Sequence, residues 1–329
     1  MDLIDWWINL EPLSVEEKKL LTSSRNDEFI DKIFTVSLTS EFIKRLPNCN
    51  LSNEYQVRVD NCATNLIQNL FNTYIDDDTL VIYTENEHYK IKGILDAFKN
   101  KLVLSYNDIL KLNMSKIASQ LSKFKKVFVY IIGTQLSSGE ITSQYFFIKL
   151  KELLNTYKCQ YKLVLDDVHG MFFVPRDYSI FDYIIGTTHA LIPSYHMGIL
   201  IGKENMDKFG RIQYQWEDEY LRALDVLLKR KEKIYQFKYI MEQSLAKIIS
   251  EGKCHLLTQT APHLFTLKTD QLQYNQEFKD ELDKYGIRLE GVNEELKYIL
   301  CRVSQFIINP NILKEGIETL NIVLNYMYE

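Results

Sequence analysis

Residues 163–170 read LVLDDVHG, a run of buried-type aliphatics that ends in two acids, a histidine and a glycine. Aliphatic runs of this length belong to strands covered on both faces. The C-terminal ends of such strands are where ligands sit in open α/β sheets. Asp166 and His169 are therefore the first candidate site residues, because a carboxylate at that place needs a charged partner.

Working outward, short β-branched runs alternate with amphipathic helices. TLVIYT (79–84), KVFVYIIG (126–133), YKLVLDD (161–167), FDYIIGTT (181–188) and MGILIGK (197–203) read as strands. NLIQNLFNTYI (65–75), YKIKGILDAFK (89–99) and QYFFIKLKELLNTY (144–157) read as helices between them. This order predicts an α/β fold with a mixed, mostly parallel sheet between helices. Residues 1–50 are predicted to form an N-terminal helical arm, with Ser14 and Glu17 in a capping relation, and 51–215 the large domain. A helical tract over 216–250 connects it to a small C-terminal α+β domain, 251–329, with strands at HLFTLKT and KYILCRVS.

Composition narrows the function. The chain has 329 residues, 46% of them hydrophobic, and a formal net charge of -5, so no basic field tracks a nucleic-acid backbone. No apolar run spans a bilayer, and the acidic start MDLIDWWINL is not a signal peptide, which predicts a cytoplasmic protein without membrane or nucleic-acid partners. Five cysteines without CxxC spacing point to reduced thiols, and no metal site is expected.

Around Asp166 the chain resembles the class V aminotransferases, a family of fold-type-I enzymes that depend on pyridoxal 5′-phosphate (PLP). The likeness rests on five places in the family's order and spans roughly residues 58–325. DNCATNLIQNLF (60–71) is similar to the family's G-a-T-e-A turn, with Cys62, Ala63 and Thr64 as phosphate-binding positions and Cys62 taking up the backbone geometry of the family's glycine. TENEHYK (84–90) places His88 on the histidine that stacks over the pyridine ring. LVLDDVHG makes Asp166 the partner of the pyridinium nitrogen and puts His169 near the ring's phenolic oxygen. GTTHALIPSYHMGILIG (186–202) looks like the S-x-H-K stretch, with Thr187 and His189 as phosphate contacts and Ala190 on the lysine. ILCRVSQFIINPNILKEGIETL (299–320) makes Arg302 the clamp for the substrate α-carboxylate. Two further positions follow from the same likeness: Gln135 on the phenolic side of the ring, and Thr260 reaching the phosphate of a partner subunit.

The resemblance thus implies a homodimeric, PLP-dependent enzyme acting on an amino acid at Cα or Cβ. Amino transfer is the default, and a lyase carrying out β-elimination or substitution is the rival. Cysteine desulfuration fits less well, because Cys301 falls within a predicted strand rather than a loop. In the family the lysine carries the cofactor covalently and serves as the general base. Here no lysine occurs between Lys162 and Lys203, and Lys203 lies beyond the MGILIG strand. Ala190 reads first as a Lys-to-Ala replacement that traps a complex. A naturally lysine-free enzyme using His189 or His196, and a non-catalytic protein that binds PLP or an amino acid, are the alternatives.

Overall fold

The computed structural model describes residues 41–47, 50–60, 62–85, 89–135, 139–188, 197–204 and 206–209. Beyond those it describes positions 224–225, 228–229, 231–232, 235, 238–239, 242–243, 255–256, 261, 264–268, 289–293 and 298–302. His88, His189, Ala190 and Thr260, and all but the last part of the predicted N-terminal arm, lie outside the described residues.

Seven strands form one sheet: β1 (Gln56–Asp60), β2 (Thr79–Thr84), β3 (Lys101–Leu104), β4 (Lys126–Ile132), β5 (Gln160–Asp166), β6 (Tyr183–Thr187) and β7 (Gly198–Gly202). Their order across the sheet is β1-β7-β6-β5-β4-β2-β3. β2 through β6 are parallel, and β7 runs antiparallel to both of its neighbours, β6 and β1. Helices make the crossovers: α1 (Ala63–Tyr74), α2 (Tyr89–Asp96), α3 (Tyr106–Leu110), α4 (Met114–Leu121) and α5 (Gln144–Thr156). The mixed, mostly parallel α/β sheet read from the sequence is the sheet observed.

Period-two alternation sends neighbouring side chains of each strand to opposite faces. One face carries Val81, Tyr83, Phe128, Tyr130, Val164, Tyr183, Ile185 and Leu200, packed against α1 and α2. The other carries Val57, Val59, Leu80, Ile82, Val127, Val129, Leu163, Leu165, Ile199 and Ile201, packed against α4 and α5. Every residue of β2, β6 and β7 is buried, which is why these strands read as unbroken aliphatic runs. α1 buries the stripe Leu66, Ile67, Leu70 and Phe71, and the Phe71 ring meets Phe128 and Tyr130 edge-on at 5.7 and 5.3 Å between centroids. Burying a side chain of that size contributes about 1.5–3 kcal/mol.

Two strands of this sheet escaped the sequence reading. β1 (QVRVD) carries two charged residues and was not resolved as a strand, yet Arg58 and Asp60 are both only 3% exposed. Their face of the sheet is covered by α1. β3 (KLVL) is a four-residue edge strand, too short to give a period.

A second, four-stranded antiparallel sheet has the order β10-β11-β9-β8, from β8 (His255–Leu256), β9 (Leu264–Lys268), β10 (Leu289–Asn293) and β11 (Tyr298–Arg302). Cys301 lies within β11. None of the helices among the described residues is long and apolar enough to cross a membrane.

Candidate functional site

Three features converge at the C-terminal edge of the large sheet, on the face covered by α1. The first is Asp166, the last residue of β5, with its side chain on the same face as Val164 and Tyr130. Its carboxylate is 6% exposed. Oδ2 accepts the hydroxyl proton of Tyr130, and Oδ1 accepts the backbone N–H of Val168 at 3.1 Å. Burial pushes this carboxyl above the usual carboxylate range, and the neighbouring Asp167 adds to that, while the two donors pull it back. A buried acid raised in this way favours either a proton or a cationic partner.

The second feature is the start of α1. Cys62 is its N-cap residue, with φ -154 and ψ 154, and no side chain caps the helix from that position. That backbone is extended, open to any residue, so the glycine geometry expected of Cys62 is not needed. The demand for glycine falls on Gly198 instead. A Cβ there would overlap the backbone of Cys62 and Ala63, so its absence lets α1 begin in contact with β7. Helix starts carry unpaired N–H groups and a partial positive charge, and Ala63 and Thr64 are the first two residues of this helix. Asp60, at the end of β1, already faces this turn. Its Oδ1 accepts from Asn65 Nδ2 at 3.0 Å and from Cys62 N at 3.4 Å.

The third is Thr187, the last residue of β6, 9% exposed and paired across the strands with Gly198. By alternation from Ile185 its side chain shares the Asp166 face.

Asp167 points the other way. It is fully buried with Arg176, whose Nε lies 3.3 Å from Asp167 Oδ1, and Tyr178 donates its hydroxyl to Oδ2 at 2.6 Å. Burial raises the Asp167 carboxyl, and the Arg176 charge draws it back. The guanidinium also donates to the carbonyls of Thr142 at 2.8 Å and Gly133 at 2.5 Å. Arg176 therefore ties the segment after β4, which carries Gln135, to the turn after β5, which carries His169. Gln135 is 1% exposed and donates to Thr142 Oγ1 at 3.1 Å. His169 is 9% exposed, in the turn closed by Gly170 and Met171 N–H groups donating to the Asp167 carbonyl.

The structure thus brings Cys62, Ala63, Thr64, Gln135, Asp166, His169 and Thr187 to one edge of the sheet. Arg302 ends β11, in the second sheet. Tyr130, Asp60 and the Asp167–Arg176 pair were missed in the sequence. Tyr130 had a signal: in KVFVYIIG it alternates with Val129 and Ile131, so it shares a face with Phe128 and reaches the neighbouring strand's end.

The lysine question is settled for the flanking lysines by topology. Gly202 pairs with Tyr183 at the start of β6, whereas Gly198 pairs with Thr187 at its end. Lys203 follows Gly202 and so lies at the opposite edge from Asp166, roughly 15 Å away at about 3.3 Å per strand residue. There its Nζ sits 4.9 Å from the centre of the Tyr55 ring. Lys162, near the start of β5, pairs with Glu204 at that same edge.

No protein-family model matches the sequence, and no curated protein sequence matches it. Solved structures do. A NifS-like protein from Rickettsia africae superposes with a TM-score of 0.69 at 14% identity, covering 95% of this chain and 96% of its own. A PLP-bound C-S lyase from Staphylococcus hominis gives 0.63 at 9% identity, covering 93% and 90%. N-acetylornithine aminotransferase from Stenotrophomonas maltophilia gives 0.62 at 13% identity, covering 95% and 86%. At these identities the likeness establishes the fold, that of the fold-type-I PLP-dependent transferases, across nearly the whole chain.

Proposed function

We propose that this chain is a PLP-dependent enzyme acting on an amino acid at Cα or Cβ, an aminotransferase first and a lyase second, with Ala190 standing where the cofactor-carrying lysine belongs. The observation that carries the reading is Asp166: a buried carboxylate, raised by burial, at the end of the middle strand and on the face where α1 begins. The donor set fits the group at its two ends. A raised, buried acid suits a protonated ring nitrogen, and the N–H groups of Ala63 and Thr64 suit a phosphate. Its covalent anchor has no counterpart, since no lysine occurs from 163 to 202.

When bound, PLP supplies an electron-withdrawing ring that stabilises a substrate carbanion. Asp166 would hold the proton on the ring nitrogen, and Tyr130 and Val168 hold Asp166 in place. Thr187 and the N–H groups of Ala63 and Thr64 would hold the phosphate, with Cys62 beside them, and the family resemblance gives His189 the same role. By the same resemblance His88 would cover the ring and exclude water, and His169 and Gln135 would serve its phenolic side. Arg302 grips the substrate carboxylate with its two-pronged guanidinium. The resemblance also implies a homodimer in which Thr260 would complete the phosphate site of a partner subunit. Without a lysine at 190 no amine moves the Cα proton, so this chain binds its cofactor and turns over slowly or not at all.

The absence of any lysine from 163 to 202 also favours a second reading, a lysine-free protein that holds PLP or an amino acid without catalysis. The Ala190→Lys variant separates the two. With PLP it should develop a visible absorbance band that shifts on addition of the correct amino acid, followed by keto-acid or elimination products. A band that no amino acid shifts would favour binding alone, and no band at all would remove the PLP reading.

A further inference from the structure

The exits of β4 and β5 are locked to one another by a buried ion pair that the proposed chemistry does not use. The Arg176 guanidinium places Nε 3.3 Å from Asp167 Oδ1, and both residues are buried. Its other two nitrogens hold the β4 exit: Nη1 donates to the Thr142 carbonyl at 2.8 Å and Nη2 to the Gly133 carbonyl at 2.5 Å. Thr142 Oγ1 in turn accepts the Gln135 amide at 3.1 Å. Asp167 holds the β5 exit. Its carbonyl takes the N–H groups of Gly170 and Met171 at 2.9 and 2.8 Å, closing the turn that carries His169. Its carboxylate lies against the backbones of Gly133 and Gly170, where an added Cβ would fall 2.4 and 2.1 Å from Oδ1. Tyr178 donates its hydroxyl to the other carboxylate oxygen at 2.6 Å. The pair faces away from Asp166, so it acts on the candidate site only through the two segments it joins.

Resting on the proposed cofactor, we infer that Arg176 is a positioning residue for the ring's phenolic oxygen. It fixes Gln135 and His169, the residues that reading assigns to this oxygen, relative to one another while touching neither ring nor substrate. A guanidinium can hold a carboxylate and two carbonyls in one planar fork, whereas an ammonium is a point charge without that geometry. Loosening the fork lets the two segments shift independently. Losing one well-placed hydrogen bond to the phenolic oxygen weakens binding by roughly three- to tenfold.

The test is calorimetric titration of the full chain with pyridoxamine 5′-phosphate and with its 3-deoxy analogue, which lacks only the phenolic oxygen. The unaltered chain should prefer the hydroxylated ligand. Arg176→Lys keeps a cation beside Asp167 but loses the fork, and should weaken pyridoxamine 5′-phosphate by roughly three- to tenfold while leaving the 3-deoxy analogue unchanged. Tyr178→Phe loosens the same pair from its other end without burying an unpaired charge, and should shift the preference in the same direction should Arg176→Lys fail to fold. In a Gln135→Leu, His169→Leu background, Arg176→Lys should have no further effect on the ratio of the two affinities. Equal weakening of both ligands would make Arg176 merely structural and overturn the inference. So would an unchanged ratio, or an unaltered chain that does not distinguish the two ligands, and each of these leaves the cofactor reading in place. If neither ligand binds the unaltered chain, the cofactor site itself is wrong and the inference goes with it.

Discussion

Replacing Arg176 by Met should cost this protein about 3–5 kcal/mol of folding stability at neutral pH, the range for breaking a buried ion pair from one side. The structure explains why the cost belongs at that level. The guanidinium is 1% exposed, it faces a carboxylate that is 0% exposed, and it also donates to two backbone carbonyls, those of Thr142 and Gly133. Met fills most of the stem's volume, so the loss is electrostatic rather than a cavity. Asp167 keeps the Tyr178 hydroxyl but loses the cation that draws its carboxyl downward. The sign with pH follows. A carboxyl raised in the folded state destabilises the protein as pH climbs from its ordinary value through the raised one. Removing Arg176 raises it further, so the penalty should be largest at pH 7 and shrink toward pH 4, where Asp167 carries a proton. Urea denaturation of both proteins at the two pH values measures this directly. A loss below about 1 kcal/mol at pH 7, or one that does not diminish in acid, would refute the idea that a charged pair bridges the β4 and β5 exits.

Other outcomes follow from the same geometry. Tyr130→Phe removes one of the two donors to Asp166, a charge-assisted bond of about 1.5–3 kcal/mol, and should raise that carboxyl further; NMR titration of the Asp166 carboxyl reads it. Because Asp166 is then protonated over a wider range, binding of pyridoxamine should weaken at a lower pH limit that lies higher than in wild type. Gly198→Ala forces a Cβ into the backbone of Cys62 and Ala63, and should cost about 1–3 kcal/mol by calorimetry or denaturation, as overpacking does. Lys203→Ala removes only a cation over the Tyr55 ring, worth about 0.5–1 kcal/mol, and should leave cofactor binding in the Ala190→Lys protein untouched.

The strands that build the site were legible because parallel strands covered on both faces must be aliphatic throughout. LVLD and FDYIIGT announce themselves in that way, and Asp166 stands out because it ends such a run. β1 was not legible for the complementary reason. Its alternation of Val57 and Val59 with Arg58 and Asp60 looks half-solvated, and only α1, packed over it, makes those charges internal. The partners of Asp166 and Asp167 were hidden because they are contacts across long separations: Tyr130 is 36 residues from Asp166, and Arg176 reaches 43 residues back to Gly133. A single sequence carries no record of such pairs. The requirement for glycine at the start of α1 was legible in kind but misplaced. It was expected at Cys62 in the chain's own turn, whereas the close approach is between α1 and β7, so Gly198 meets it. Lys203, by contrast, could be set aside from the sequence alone, since a strand of five residues separates it from the edge where Asp166 ends β5.

The most direct test of the central claim is chemical mapping of the cofactor in the Ala190→Lys variant. After incubation with PLP and reduction with borohydride, peptide mass spectrometry should find the pyridoxyl adduct on residue 190, with Asp166→Asn in the same background strongly reducing its yield. An adduct on Lys203 or scattered over surface lysines, with residue 190 unmodified, would contradict the account.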